Sequence, residues 1–401
     1  MDKIKDTLDR QLKNQPKEVI FCKKCVVSNQ RPRIEFDENR ICSACKFAYE
    51  KKSVIDWEQR ARQLEDLCNL HRKDNGEYDV IVPCSGGKDS SMVAHRLKHD
   101  YGMHPLTVTW APFMYTEIGW INFQSFIRSG FTNIMGSPNG HLHRKLSRVA
   151  FEAVGDPWDP FAYGQMSYAF HIALQFDIKL IFFGENGEAE YGGSPKNNYR
   201  PFMPIEDWAD LYFKGTTIDD LIEYGLRHGL ITKDDFNSSD LRFYRPPLVE
   251  VLQDKGIQMH WFSFYHKWVP QENYYYAVEH TGFQANPDGR SEGTYSKYAS
   301  LDDRMDGLHF YLAYMKFGIA RTTSDAAHEV RDGHITREEA VSLVHRYDGE
   351  LPKKYFRECL EYMDISEEKF WEIVDSFRKR SPHLWENGNG IWKLKHRVEN
   401  I

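Results

Sequence analysis

A glycine-rich loop that directly follows an apolar run constrains the possible fold more than any other stretch of the sequence. Residues 79–83 (DVIVP) predict a buried strand, residues 85–90 (SGGKDS) a loop, and residues 89–101 a helix. Gly86 and Gly87 can take positive φ angles and let the backbone approach a ligand closely. The N–H groups at the start of the helix, with its dipole, favour an anion. The loop therefore predicts a phosphate site at the end of a strand.

Three side chains of the loop suit a polyphosphate. Ser85 and Ser90 offer hydroxyl donors, and Lys88, expected to be exposed, can neutralise phosphate charge. The string is not the Walker pattern, which places four residues between its first glycine and its Gly-Lys pair. A plain glycine turn between strand and helix is the alternative, but such a turn does not require the complete string.

Apolar runs alternate with helix-like segments after the loop. Further strands are predicted at 104–110, 131–135, 179–183 and 257–262, and helices at 120–129, 143–154 and 163–177. Strands and helices that alternate at this spacing predict an α/β fold, with a parallel sheet covered by helices on both faces.

An acidic turn at residues 184–193 (GENGEAEYGG) follows the predicted strand 179–183. Open α/β sheets bind ligands at the carboxyl ends of their strands, so this turn and the glycine loop are expected on one rim. Glu185 and Asn186, nearest the strand end, are the best candidates there, and a carboxylate suits a Mg²⁺ ion carried by phosphates. A solvated acidic loop is the alternative.

Four of the seven cysteines form two close pairs with the spacing of a zinc site. Cys22, Cys25, Cys42 and Cys45 read C-x₂-C-x₁₆-C-x₂-C, which is typical of a four-thiolate structural Zn²⁺ site. An iron–sulfur cluster and a zinc ribbon that recognises RNA are the alternatives. Basic residues such as Arg31 and Arg33 favour RNA, but neighbouring acidic residues offset them, so a structural role is preferred.

Composition excludes several classes of protein. The 401 residues carry 52 Lys+Arg against 59 Asp+Glu, a net charge of −7, which makes nucleic acid an unlikely main partner. No apolar run approaches the roughly 20 residues that span a bilayer, and the charged N-terminus does not resemble a secretory signal. An odd cysteine count without such a signal argues against a disulfide framework. We expect a cytoplasmic protein without membrane partners.

The pattern divides the chain into four predicted regions. They are a zinc knuckle at 1–53, a helical connector at 54–76, the α/β domain at 77–290 and a helical region at 291–401. In the connector, Ile55, Leu64, Leu67 and Leu70 are spaced like one helical face. In the last region, Thr336 with Glu339 predicts a capping box, and Ser366 predicts a helix N-cap.

The loop resembles that of the PP-loop ATP pyrophosphatases, which holds the departing pyrophosphate while ATP adenylates a substrate. The resemblance and the acidic turn together predict ATP and Mg²⁺ as ligands, with Lys88, Asp89 and Glu185 as catalytic residues. The predicted nucleotide-binding residues are Cys84, Ser85, Gly86, Gly87, Lys88, Asp89, Ser90, Gly184, Glu185 and Asn186.

Several separate stretches resemble the N-acetyl sugar amidotransferases of bacterial surface-polysaccharide and flagellin-glycan synthesis. They are the cysteine pairs and residues 84–90, 184–193, 261–270, 293–304 and 316–318. The resemblance implies that the acetamido group of a nucleotide-activated N-acetyl sugar becomes an acetamidino group. Such sugars include the diacetamido uronic acids of lipopolysaccharide O-antigens and the pseudaminic or legionaminic acid types. It also implies that a separate glutaminase, paired with a cyclase-like subunit, supplies the ammonia.

Two other functions compete with this interpretation. A tRNA sulfur transferase also combines a PP-loop with a zinc knuckle, but it needs a sulfur-carrying cysteine near the loop. Cys84 adjoins the loop, yet no second C-x₂-C pair exists outside the knuckle, and the acidic balance works against tRNA. A non-catalytic zinc-ribbon scaffold would leave the intact loop without a purpose.

Overall fold

The computed structural model describes residues 7–202 and 213–400, and a parallel β-sheet forms its centre. Within these residues the sheet has five strands in the order β3-β2-β1-β4-β5. They are β1 Val80–Pro83, β2 Pro105–Trp110, β3 Thr132–Gly136, β4 Leu180–Phe183 and β5 Gln258–Trp261. Each strand coincides with one of the predicted apolar runs, so the α/β fold with a parallel sheet is confirmed.

Helices surround the sheet and make up most of the C-terminal part of the chain. They are α1 Arg10–Lys13, α2 Ser43–Ser53, α3 Trp57–His71, α4 Lys88–His99, α5 Glu117–Arg128, α6 Gly140–Val154, α7 Asp159–Phe176, α8 Gly187–Tyr191, α9 Ile218–Arg227, α10 Val249–Asp254, α11 Phe262–Tyr265, α12 Pro270–Thr281, α13 Asp306–Phe317, α14 Arg321–Asp332, α15 Arg337–Tyr347, α16 Phe356–Met363 and α17 Glu367–Arg380. Short 3₁₀ turns lie at Pro195–Asn197, Lys233–Asp235 and Arg242–Tyr244. None of the described helices combines the length and the apolar character needed to cross a bilayer.

The strand order creates a crevice beside β1. The chain runs outward from β1 to β2 and β3 and then returns to place β4 on the other side of β1. Parallel pairing aligns Val80 with Leu180 and Ile81 with Ile181, so β1 and β4 end at the same edge. Ligands of open α/β sheets bind outside the carboxyl ends of the strands at such a switch point. The glycine loop (residues 84–90) and the acidic turn (residues 184–193) leave these two strand ends.

The core forms on both faces of the sheet, as its parallel strands require. Ile81 and Ile181 belong to the cluster that α6 and α7 complete. Val82, Leu180 and Phe182 belong to the cluster on the opposite face, with α4 and α11. The alternation follows the two-residue period of a strand, and burial on both faces explains why these runs are continuously apolar.

The connector is helical, but the predicted buried face is wrong for one residue. Leu64 is fully buried in α3, whereas Leu70 is 77% exposed. Cys68, four residues after Leu64, takes the inward position, because residues separated by four lie on one helical face. Leu70 is turned roughly to the opposite side by the 100° rotation per residue.

Residues 291–305 of the predicted C-terminal helical region are irregular. Helices then follow from Asp306 to Arg380, and after them comes a hairpin that the sequence analysis did not predict. Thr336 and Glu339 form the predicted capping box of α15, and Ser366 caps α17. Strands β6 Trp385–Gly388 and β7 Ile391–Leu394 then pair antiparallel. Their two-residue turn is Asn389-Gly390, with φ angles of 54° and 82°. Asn-Gly with two positive φ angles is typical of a type I′ hairpin turn, and this signal was overlooked.

The boundaries of the four regions stay predictions. Residues 1–6 of the first region, 203–212 of the third and 401 of the last lie outside the described residues.

Candidate functional site

A cleft of about 740 Å³ opens at the carboxyl ends of β1 and β4. Its first wall is the glycine loop, and its second is the start of the acidic turn, including Glu185. The third wall comes from residues 295–302 and from α14 in the C-terminal part of the chain. The two motifs that the sequence placed on one rim therefore line one cleft together with a segment distant in sequence.

The two glycines of the loop have different roles. Gly86 has a φ of +85°, and a Cβ there would lie 2.5 Å from the Cα of Phe123 on α5. Any side chain at Gly86 would thus strain the backbone and collide with a packed helix. Gly87 has a φ of −67°, so the expected positive φ is wrong for this residue. A Cβ at Gly87 would meet only the Ser85 hydroxyl oxygen, at 3.5 Å.

The start of α4 is open toward an anion. Gly87 is the N-cap of this helix and supplies no side-chain cap. The first N–H groups of a helix have no intrahelical acceptors, so they remain available to a ligand. Among the loop hydroxyls, Ser90 donates to the Gly87 carbonyl at 3.3 Å, and Ser85 moderates the raised pKa of the Asp302 carboxyl. Backbone donors therefore dominate the proposed phosphate cradle.

Lys88 and Asp89 contact each other at the mouth of the loop. The expectation of an exposed lysine is wrong, since Lys88 is only 9% exposed. Its ammonium group contacts the Asp89 carboxylate and lies 5.5 Å from the centre of the Tyr298 ring. Asn273 of α12 donates to the other Asp89 oxygen at 2.9 Å. A bound phosphate would compete with Asp89 for the Lys88 ammonium.

Glu185 is the carboxylate that the acidic turn presents to the cleft. Burial, together with the negative charge of Asp89, raises the pKa of Glu185 to about 7. The Tyr191 hydroxyl donates to it at 3.3 Å. Gly184, next to it, packs against the Trp268 ring, which a Cβ would approach to 3.0 Å. A nearby cation would favour the charged form of this carboxylate.

Three other polar residues of the acidic turn, Asn186, Glu188 and Glu190, do not line the cleft. Asn186 is buried and caps α8 by accepting from the Glu188 N–H at 3.1 Å. Its side-chain NH₂ donates to the Asn197 carbonyl. Glu188 pairs with Arg33 at 2.8 Å, and Glu190 pairs with Lys51 at 2.7 Å. These contacts shape the turn, whereas Glu185 is left for a ligand.

Cys84 joins the loop to the sheet. Its N–H donates to the Val108 carbonyl at 2.8 Å, and its carbonyl accepts from the Thr109 hydroxyl. Burial raises the pKa of the Cys84 thiol. The residue is therefore poorly suited to act as a thiolate nucleophile.

Asp302 is a cleft carboxylate that the sequence analysis did not single out. Its neighbour Asp303 accepts backbone N–H groups from Phe113 at 2.6 Å and from Met305 at 2.9 Å, which ties the segment to the chain after β2. Gly119 permits this approach, since a Cβ there would lie 2.5 Å from the Asp302 Cα. The available signal was the Asp-Asp-Arg run at 302–304, but nothing in its spacing links it to the glycine loop.

Asp306 and Arg321 complete the charged part of the third wall. Both line the cleft, and Arg321 Nε lies 3.1 Å from the Asp325 carboxylate. Burial opposes the charge on Arg321, but Asp325 and Asp306 outweigh it and raise the pKa of the guanidinium. Sequence reasoning missed both residues.

The four paired cysteines converge as the zinc prediction requires. Their sulfur atoms all lie within 4.8 Å of one another, with 3.8 Å between Cys22 and Cys45 and 3.7 Å between Cys25 and Cys42. Tetrahedral Zn–S bonds of about 2.3 Å place sulfurs roughly 3.8 Å apart, whereas a disulfide needs about 2.05 Å. The cluster therefore fits a tetrahedral metal ion.

The difference between Gly86 and Gly87 leads to a paired prediction. Gly86→Ala should destabilise the fold by about 1–3 kcal/mol in urea unfolding, because of strain and collision. Gly87→Ala should change stability by less than about 0.5 kcal/mol, yet its methyl group would crowd the open helix start. Calorimetry with inorganic pyrophosphate should then show weakened binding. Unchanged pyrophosphate binding by Gly87→Ala would contradict the phosphate cradle.

The cysteine cluster should hold one zinc ion per chain, as measured by elemental analysis. Cys22→Ser should lose the zinc and destabilise the protein by on the order of 4 kcal/mol, since structural zinc contributes folding energy. Cys68→Ser, a buried cysteine outside the cluster, is the matched control and should keep its zinc. Stoichiometric iron in place of zinc would refute the assignment.

Comparison with known proteins finds a similarity in the part of the chain that forms the third wall. Residues 292–399 match the family model described as LPS biosynthesis protein WbpG-like, C-terminal domain. No curated protein matches the chain. The matched part supplies Asp302, Asp306 and α14 to the cleft, so the chain ends in a domain similar to that of lipopolysaccharide biosynthesis proteins.

Proposed function

We propose that this protein is a cytoplasmic, ATP-dependent amidotransferase of surface-polysaccharide biosynthesis. It converts the acetamido group of a nucleotide-activated N-acetyl sugar into an acetamidino group. One observation carries the proposal. The uncapped glycine loop and Glu185 line the same cleft as residues 295–302 of the WbpG-like domain. A phosphate-type cradle and a polysaccharide-biosynthesis domain thus meet at one site.

The chemistry explains why a phosphate cradle is useful here. An acetamido oxygen is a poor leaving group, because its expulsion as hydroxide is prohibitive near neutral pH. In the proposed reaction this oxygen attacks the α-phosphorus of ATP, and the bond to the β-phosphate breaks. Pyrophosphate leaves, and an O-adenylyl imidate that keeps the amide N–H, and is therefore protonated, remains. Ammonia then adds to the imidate carbon, the C–O bond to AMP breaks, and the cationic amidine forms with release of one proton.

The residues of the cleft divide this work between them. The N–H groups at the start of α4 and the Lys88 ammonium stabilise charge on the departing pyrophosphate. Asp89, which Asn273 holds, contacts the Lys88 ammonium and positions it at the loop. The loop and the C-terminal wall hold the two substrates in reactive proximity, which lowers the entropic part of the barrier.

Two carboxylates at the cleft, Glu185 and Asp302, suit the two positive charges of the proposed reaction, those of Mg²⁺ and of the amidine product. Glu185 and Asp302 lie on two different walls that face the loop. Mg²⁺, when bound, supplies charge neutralisation between the phosphate oxygens, and Glu185 is the residue that would hold it. Asp302 would stabilise the amidine, which is cationic near neutral pH, as it forms opposite the loop.

The ammonia should come from a separate glutaminase, paired with a cyclase-like subunit. Glutamine hydrolysis needs an activated cysteine thiolate. Outside the metal cluster the chain has Cys68, Cys84 and Cys359, and burial raises the pKa of each thiol. These three cysteines are therefore unsuited to supply ammonia from glutamine.

The tRNA sulfur transferase interpretation finds less support. It needs a reactive thiolate, and Cys84 is buried with a raised pKa. Arg31 and Arg33, the basic residues that could suggest an RNA-binding ribbon, contact the acidic turn. No observation on the described residues favours this function over the amidotransferase.

ATP should be cleaved between its α- and β-phosphates, with AMP and pyrophosphate formed in step with the amidine. Lys88→Met, which keeps the buried stem, should lower kcat by about 10²–10³-fold without loss of stability, because it removes charge compensation for the leaving group. Lys98→Met, on the exposed end of the same helix, is the control and should be active. Nucleotide chromatography that finds ADP would refute the adenylation step.

Glutamine should not support turnover by this chain alone, whereas a high concentration of an ammonium salt should. Only unprotonated ammonia is nucleophilic, so the ammonium-dependent rate should rise with pH through the neutral range. Mass spectrometry of candidate nucleotide sugars, incubated with ATP, Mg²⁺ and either nitrogen source, measures this directly. Addition of a glutaminase–cyclase pair should restore the use of glutamine. Robust glutamine-dependent turnover by the isolated chain would overturn the partner requirement.

A further inference from the structure

Helix α14 lies between the cleft and the cysteine block, which we define as residues 20–53. Arg321 and His328 on this helix line the cleft. Arg331 is 7% exposed and lies on the side of the helix that faces the cysteine block. Its guanidinium donates to the Glu190 carbonyl at 2.8 Å and lies 4.0 Å from the Cys25 sulfur. One side chain thus bridges the metal cluster and the acidic turn.

The cysteine block holds the acidic turn at further points. Four contacts join donors of the block to the turn: Arg31 to the Gly192 carbonyl at 2.7 Å, Ser43 to the Gly193 carbonyl at 2.9 Å, Arg33 to Glu188 at 2.8 Å and Lys51 to Glu190 at 2.7 Å. Lys51 and Glu190 are both at most 5% exposed. These groups cannot exchange their partners for water without exposing or stranding a charge.

The position of these donors depends on the cysteine cluster. Before α2, regular pairing in the block consists of isolated bridges, such as Phe21 with Ser28 and Phe36 with Cys42. Arg31 and Arg33 lie in the irregular segment between the cysteine pairs, and Ser43 follows Cys42 directly. In a segment with so little regular structure, metal ligation supplies much of the folding energy.

We propose that Arg331 is a positioning residue through which the metal-loaded cysteine block holds the acidic turn, and with it Glu185, at the cleft. A tetrathiolate site carries net negative charge, and the guanidinium both balances that charge and bonds the turn. Loss of the metal then loosens residues 184–193 while the central sheet remains folded. The metal acts on the cleft from behind the turn and takes no part in the chemistry.

Hydrogen exchange of residues 184–193 tests the proposal without reference to any activity. Removal of zinc from the intact chain by a chelator should raise exchange there by about tenfold or more, with β1 and β4 still protected. Arg331→Gln, with its zinc retained, should raise the same exchange. Arg337→Gln is the matched control. Arg337 lies on α15 and contacts the Cys25 and Cys22 carbonyls, so its substitution should leave the exchange of the turn unchanged.

A second measurement, Mg·ATP affinity, rests on the proposed function. It should fall by about tenfold in Arg331→Gln and remain unchanged in Arg337→Gln. If the wild-type protein does not bind Mg·ATP, the proposed function fails, but the exchange result still decides the positioning role. Unchanged exchange in zinc-free protein and in Arg331→Gln would overturn the proposal. Global unfolding on zinc removal, with β1 and β4 exchanging together with the turn, would also overturn it.

Discussion

The parallel pairing of β1 with β4 is the constraint on which the site depends. Val80 aligns with Leu180 and Ile81 with Ile181, so both strands end at one edge of the sheet. The glycine loop and the acidic turn continue from those ends into a single cleft. Because burial on both faces fixes the register of such strands, the spacing of the loop and the turn follows from packing in the core and requires no contact between them.

Ion pairs and hydrogen bonds distinguish the structural carboxylates from those that face the cleft. Asp303, Glu188 and Glu190 each bind backbone N–H groups or a cationic side chain, and they hold segments together. Glu185 lines the cleft with a pKa raised to about 7, and no cationic side chain binds it among the described contacts. Since burial and the negative charge of Asp89 both oppose the charged form of Glu185, a carboxylate of this kind is expected where a cation can bind.

The cysteine block stabilises the cleft from behind. Its basic residues would suggest an RNA-binding surface if the block stood alone, yet Arg31, Arg33 and Lys51 bind the acidic turn. Residues 295–302, in the part of the chain that matches the WbpG-like model, form a further wall of the cleft. The site is thus composite: the sheet supplies the loop and the turn, and two outlying parts of the chain hold and complete it.

Local patterns in the sequence determined the strands, the helix caps, the glycine loop and the cysteine quartet, because each depends on neighbours within a few residues. Three features differ from the sequence-based expectations, and each has a local cause. The Asn389-Gly390 turn was not predicted, Leu70 is exposed rather than buried, and Gly87 has a negative φ angle. Only the tertiary structure decided which polar residues face the cleft. Glu185 and Asn186 are adjacent, yet one lines the cleft and the other caps a helix. Asp302 reached the site because Asp303 anchors a distant segment, and such long-range packing leaves no periodic signal in the sequence.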